Sequence, residues 1–449
     1  MTIIALLIIG IYSIYFCIDV IHKKYGFKDY LQPGVIFLIL LSLYSLSYLT
    51  HAKYFADVDS TVTEEFSWAY IISVISFVTG YIFINPKLKI VRYTIKNLSL
   101  IELNNKKIFF FLLRIVLLFS IISLPQIVKY IQFNPESYVE TAVRNRINTN
   151  NFSAPLSIIF ELNYSIIISL FLYKSTKIFK QIPKIFQRMI GISLTIWISL
   201  YTYLSGSKSK IIITLLILII PNYYNLLINN KKFHLTLLYT SSIIILILLW
   251  PLLIVQTHIR YTSNIFEMSS AFISYITNNP ISVLPIASSE LIGCSKTFAT
   301  IISKINENVI DFNYGIRWIN DFLIFIPKLI LNNRTLPSSE YFVQLFFPDL
   351  KEGAGLGWFI LNDGYWAFGL PGVGFISLVY GYLLRLNYEI IMGISNNSFV
   401  LGLYQNLYFV TVITSVRTGI FGSIKIYLIN LLSLFFIVNI YKLFYRKTV

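Results

Sequence analysis

The sequence predicts an all-α, polytopic membrane protein of about eleven (10–12) transmembrane helices with one long extracytoplasmic loop. Three observations carry that expectation. The 449 residues are 56% hydrophobic and 16% aromatic but only 12% charged, about half the charged share of a soluble domain. Apolar runs long enough to cross a bilayer recur from end to end, and the mean hydropathy is +0.71. The net charge of +16 is distributed by loop, as orientation in a membrane requires. This composition excludes a disordered chain, a coiled coil and a nucleic-acid-binding domain.

The spans follow in order at 3–20, 33–49, 66–84, 108–124, 155–173, 189–204, 211–227, 235–255, 366–386, 399–416 and 426–443. The first has no preceding Lys or Arg and no small-residue cleavage pattern, so it reads as a retained helix and not a signal peptide. Lys23 and Lys24 follow it, which places the N-terminus outside and the first loop in the cytoplasm. An odd number of spans puts the termini on opposite sides. With this threading the cytoplasmic loops carry 20 basic residues against three acids, and the outer segments 15 against 14. The chain divides into helices one to eight over 1–255, a periplasmic loop subdomain over 256–353, and helices nine to eleven over 354–449. Cys17 lies in the first apolar run and Cys294 in the long loop, so no disulfide framework is expected.

No phosphate-loop motif occurs, and Gly353-Ala-Gly355-Leu-Gly357 lacks dinucleotide-loop spacing. The four His are scattered and no cluster has metal-ligand spacing, so neither metal nor cofactor is expected.

The informative residues are basic ones on the outer side, where short loops normally avoid them. Lys208 and Lys210 lie in the turn Ser205-Gly206-Ser207-Lys208-Ser209-Lys210 at the mouth of an apolar helix. That is either a phosphate or pyrophosphate site at a helix N-terminus or two lysines snorkelling at a helix end. Arg144 and Arg146 suit bidentate phosphate contacts or lipid headgroups. Arg260 follows helix eight beside His258, a candidate base or a structural histidine. Arg317 and Arg334 flank the apolar segment 318–331, which is too short to span and reads as interfacial or re-entrant. Asp363, at the start of helix nine, is either a functional intramembrane acid or a helix cap.

Several of these features together resemble one family. They are the many-helix layout, the small-residue basic turn at 205–210 and the long late outer loop. To them are added Gly353-Ala-Gly355-Leu-Gly357, Asn362-Asp363-Gly364-Tyr365 and Phe368-Gly369-Leu-Pro-Gly372. The chain is similar to bacterial O-antigen and capsular polysaccharide polymerases (Wzy-type, oligosaccharide repeat unit polymerases), although Lys208 stands where that turn often carries Arg. The resemblance implies a GT-C-like helical glycosyltransferase in the bacterial inner membrane with its site facing the periplasm. Donor and acceptor would both be oligosaccharides linked to undecaprenyl pyrophosphate, with membrane lipids, a chain-length regulator and a flippase as partners. It implies Lys208, Lys210, Arg260, Arg334, Arg144, Arg146 and Arg317 for pyrophosphate, and His258, Glu340, Asp349 or Asp363 as base. Rival readings are a flippase or transporter of lipid-linked oligosaccharide, and an O-antigen ligase.

Overall fold

The computed structural model describes residues 3–54, 59–83, 111, 113–118, 120–122, 183–185, 188–189, 223, 274, 277, 289–323, 336–348, 357–393, 411–424 and 427–428. The chain forms two compact units. One comprises Met1–Lys87, Ile273–Glu389 and Thr411–Ile426, and the other Leu88–Phe272, Ile390–Val410 and Tyr427–Val449. The first unit holds most of the described residues.

Its elements are α1 (Ile3–Tyr25), α2 (Pro33–Tyr54), α3 (Ser60–Ile82), α4 (Ser289–Asn306), α5 (Ile316–Leu323), α6 (Ser338–Phe346) and α7 (Ile360–Gly393). A further helical stretch covers 411–424. Among the described residues the only β-type bridge is an isolated one, Trp358 to Thr418. Helices α1, α2, α3 and α7 are each long and apolar enough to cross a membrane. α1 is apolar all round. Leu6, Gly10, Cys17 and Ile21 face the bundle, while Ile4, Leu7, Ile8, Ile11, Tyr12 and Tyr15 remain exposed, as a helix bathed in lipid requires.

Buried aromatics set the packing of the first three helices. α2 and α3 run antiparallel. Phe37 meets Phe77, Tyr48 stacks on Phe66, and Tyr81 Oη donates to Gln32 Oε1 at 3.0 Å. α3 and α7 run parallel: Ser73 pairs with Ser377 at 2.8 Å, and farther along the backbone of Phe77 meets Gly381. Lipid tails are as apolar as leucine, so close backbone approach and interhelical hydrogen bonds must hold such a pair. Gly80 against the Leu378 carbonyl and Gly381 against the Phe77 carbonyl supply that approach; a methyl group at either position would overlap backbone.

α7 is not one straight span. Phe368 and Gly369 leave helical dihedrals, with φ of −144° and +65°. The short arm, 360–367, folds back so that a methyl group at Gly364 would lie 2.5 Å from the Gly372 carbonyl oxygen. Eight residues of continuous helix would separate those positions by about 12 Å, so the bend is a hairpin. Gly369 supplies the left-handed φ, and Pro371 stands at the start of the long arm, where a missing N–H costs nothing.

Several residues sit differently from where local sequence put them. The sequence-read span 366–386 is the long arm plus the bend. Cys294, expected in a loop, is fully buried in α4. Asp29, Arg385 and Glu389, expected in cytoplasmic loops, join in a polar cluster at the far end of α7. There Glu389 accepts from Lys24 at 2.6 Å, Tyr25 at 2.5 Å and Arg385 at 2.7 Å, while Tyr388 Oη donates to Asp29 at 2.8 Å.

Candidate functional site

The end of the bundle where α3 and α7 begin carries the polar chemistry. The short arm of α7 starts inside the bundle: Phe359 lies in ring contact with Tyr44 of α2, Phe66 of α3 and Phe298 of α4. Its exposed backbone groups find partners from three other segments, as buried peptide groups must. Trp358 N donates to the Arg417 carbonyl at 2.6 Å. At the arm's other end Asn313 N and Tyr314 N donate to the carbonyls of Trp366 and Ala367, and Trp318 Nε1 donates to that of Asp363 at 2.7 Å.

Asp363 is the hub. Its carboxylate is buried, with Oδ1 accepting from Trp358 Nε1 at 2.6 Å and Oδ2 from the Ile420 backbone N–H at 2.7 Å. Gly419, with φ of +72°, brings the backbone against that carboxylate. Asp363 thus ties the short arm to the 411–424 helix. The acid locks two chain segments together, and the donors it accepts from are not those of its own helix.

Glu65 is a second acid at this level. It accepts from Tyr365 Oη through one oxygen and from Asn306 Nδ2 through the other at 3.1 Å, joining α3, α4 and the short arm. Asn362 donates to Thr297 Oγ1 at 2.9 Å, and its own carbonyl oxygen is buried without a partner among the described residues.

The cationic feature is Arg317 in α5. Its guanidinium carbon lies 3.4 Å from the Tyr341 ring centroid and 5.9 Å from that of Trp366, and the two rings stack at 6.1 Å. Arg317 forms no hydrogen bond or ion pair with any described residue. Stacking fixes the guanidinium plane and leaves its N–H edge unengaged among them, the preorganisation that bidentate oxyanion binding uses. Asp321, one turn along, is occupied elsewhere, accepting from Ser338 N at 2.8 Å and Ser338 Oγ at 2.6 Å. Burial pushes its carboxyl above the usual carboxylate range, opposed by those two hydrogen bonds and by Arg317. Glu340 is exposed in the first turn of α6, beside Tyr341.

Of the residues singled out from sequence, Arg317, Glu340 and Asp363 are therefore placed at one end of one unit. Lys208, Lys210, Arg260, Arg334, Arg144, Arg146, His258 and Asp349 lie outside the described residues. Sequence reasoning missed Glu65 and Trp358, and it named Tyr365 only as part of the motif around Asp363. The signal for Glu65 is an acid at the very edge of an apolar run, where a loop end and a helix start read alike. Comparison with family models, with curated proteins and with solved structures finds no match to this chain.

Proposed function

We propose that the chain is a membrane glycosyltransferase that polymerises lipid-linked oligosaccharide repeat units at the periplasmic face of the bacterial inner membrane. The growing chain leaves undecaprenyl pyrophosphate for a new repeat unit. A sugar hydroxyl of the acceptor attacks the anomeric carbon of the donor chain. The bond from that carbon to the pyrophosphate oxygen breaks, its electron pair leaves on undecaprenyl pyrophosphate, and the hydroxyl proton passes to a base. Pyrophosphate is a good leaving group, so the protein's task is to stabilise its charge and position the acceptor.

The observation that carries this reading is Arg317, held flat on Tyr341 with its N–H edge unengaged among the described residues. Glu340 is the placed acid best disposed to take the proton, because both oxygens of Asp363 are already occupied. The parallel course of α3 and α7 supports the threading. Two parallel spans need an odd number of crossings between them, and the sequence reading supplies five. The test is polymer length in a deletion strain carrying Arg317→Ala or Arg317→Lys. Both variants are expected to reach the membrane and to make only single-repeat products, lysine failing because it lacks the planar fork. Wild-type lengths in both would overturn the assignment.

One observation favours the transporter reading. Broken helices with a buried acid, as at Gly369, Gly419 and Asp363, are how transporters build a site inside the bilayer. The side on which lipid-linked repeat units accumulate in a deletion strain separates the two: the cytoplasmic face for a flippase, the outer face for a polymerase.

A further inference from the structure

α5 is amphipathic with its faces reversed. Arg317 and Asp321 point into the protein, onto Tyr341 and Ser338. Ile316, Ile319 and Phe322 point out, at 63%, 63% and 54% exposure. At 100° per residue those three fall within one arc and the two charged residues in the opposite one. In water a surface helix turns its apolar side to the core. This one presents it to the surroundings, which is stable only where the surroundings are apolar.

The outward face continues onto a membrane-spanning helix. Trp318 packs edge-on to Phe368 and stacks on Phe375, and Phe322 packs on Phe421. Phe368 and Phe375 are themselves 42% and 57% exposed on α7. Depth follows from the same contacts. Glu64 and Glu65 are the last charges before the apolar run of α3, and Tyr365 hydrogen-bonds Glu65, so the bend of α7 lies near the hydrocarbon edge. Phe375 is six residues past Gly369, about 9 Å deeper along the long arm. A helix lying in a bilayer interface buries its apolar face by about 5–10 Å, the depth at which α5 meets Phe375.

We infer that α5 is an in-plane helix embedded in the membrane leaflet on the Asp363 side, with lipid acyl chains covering Tyr314, Ile316, Ile319 and Phe322. Arg317 then sits on the protein-facing side of this helix, stacked on Tyr341. The inference is independent of the reaction proposed above: it concerns where α5 lies, whatever the protein does to its ligand.

The test is spin-label accessibility in reconstituted vesicles. Cys17 and Cys294 are buried, so labels go to introduced cysteines: Ile316→Cys, Ile319→Cys and Phe322→Cys, with Ile8→Cys as lipid reference and Asp311→Cys as water reference. Labels on α5 are expected to collide with oxygen more than with a water-soluble nickel chelate, matching Ile8→Cys within twofold, while Asp311→Cys shows the reverse. Nickel-dominated collisions at all three positions would overturn the inference. So would dipolar broadening that vanishes when labelled protein is diluted with unlabelled, because a second copy would then cover the face. Hydroxyl-radical footprinting of the unmodified protein in nanodiscs gives a readout free of substitutions. Segment 316–322 should be modified no faster than the α1 segment 4–15, and a rate equal to that of exposed Val309, each corrected for intrinsic side-chain reactivity, would reject embedding.

Discussion

The two ends of α7 solve the same problem in opposite ways. At the Glu389 end, charges near the membrane edge neutralise one another: one carboxylate gathers Lys24, Tyr25 and Arg385. At the Asp363 end, the buried acid is held by an indole and a peptide N–H with no cation among the described residues, and the nearby cation Arg317 is held by aromatic rings with no described acid in salt-bridge contact. Charges that satisfy each other make a clamp. Charges satisfied by neutral partners leave their counter-charge to be supplied by something else, which for Arg317 would be the anion of the proposed reaction.

Substitutions can break this contrast. The largest expected effect is at Glu389. Glu389→Gln leaves Arg385, whose side chain is only 6% exposed, without its counter-charge. Loss of one partner of a buried pair costs about 3–5 kcal/mol, and thermal unfolding in detergent should show it as the steepest fall of the set. Asp363→Ala strips the acceptor from two buried donors at a cost of about 2–4 kcal/mol; a melting temperature equal to wild type would mean that the lock holds nothing. Gly372→Leu drives a side chain into the Gly364 backbone and should cost about 1–3 kcal/mol, read as faster proteolysis between 360 and 370. Trp358→Phe puts a smaller ring in place of the indole and leaves one oxygen of buried Asp363 without its donor, at about 1–3 kcal/mol. Lys24→Met is the smallest: Lys24 is 39% exposed, and such pairs contribute about 0–1 kcal/mol. If Lys24→Met proved as damaging as Glu389→Gln, the far end would not be a buried clamp.

The three N-terminal spans were legible because their signal is local. Runs beginning at residues 3, 33 and 66 became helices beginning at 3, 33 and 60, the shift at α3 arising because Asp59 caps a polar first turn through the Thr61 N–H. The bend in α7 was half legible. Gly369, Pro371 and Gly372 read as a step into a helix, but nothing local says that they fold the preceding turn back on it, since Gly364 and Gly372 signal contact only once the bend exists. The Arg385–Glu389–Lys24 cluster was illegible. It depends on Lys24 and Glu389, 365 residues apart, and each looks like an ordinary loop charge alone. Arg317 was legible as a residue type, a cation flanking an apolar segment, but not as a stacked one, because Tyr341 arrives from a different helix.

The Asp363 lock also constrains biogenesis. Its partner Ile420 lies 57 residues downstream, as far along the chain as the Arg417 carbonyl that receives the Trp358 N–H, so the lock cannot be closed while α7 is being inserted. The 34-residue α7 enters the bilayer with its short arm held only by upstream partners, Glu65, Asn313, Tyr314 and Trp318, and gains the Ile420 N–H and the Arg417 carbonyl after the 411–424 helix has left the ribosome. Truncations ending between residues 395 and 415 should therefore integrate into membranes yet expose the short arm to protease, while chains completed past 424 protect it.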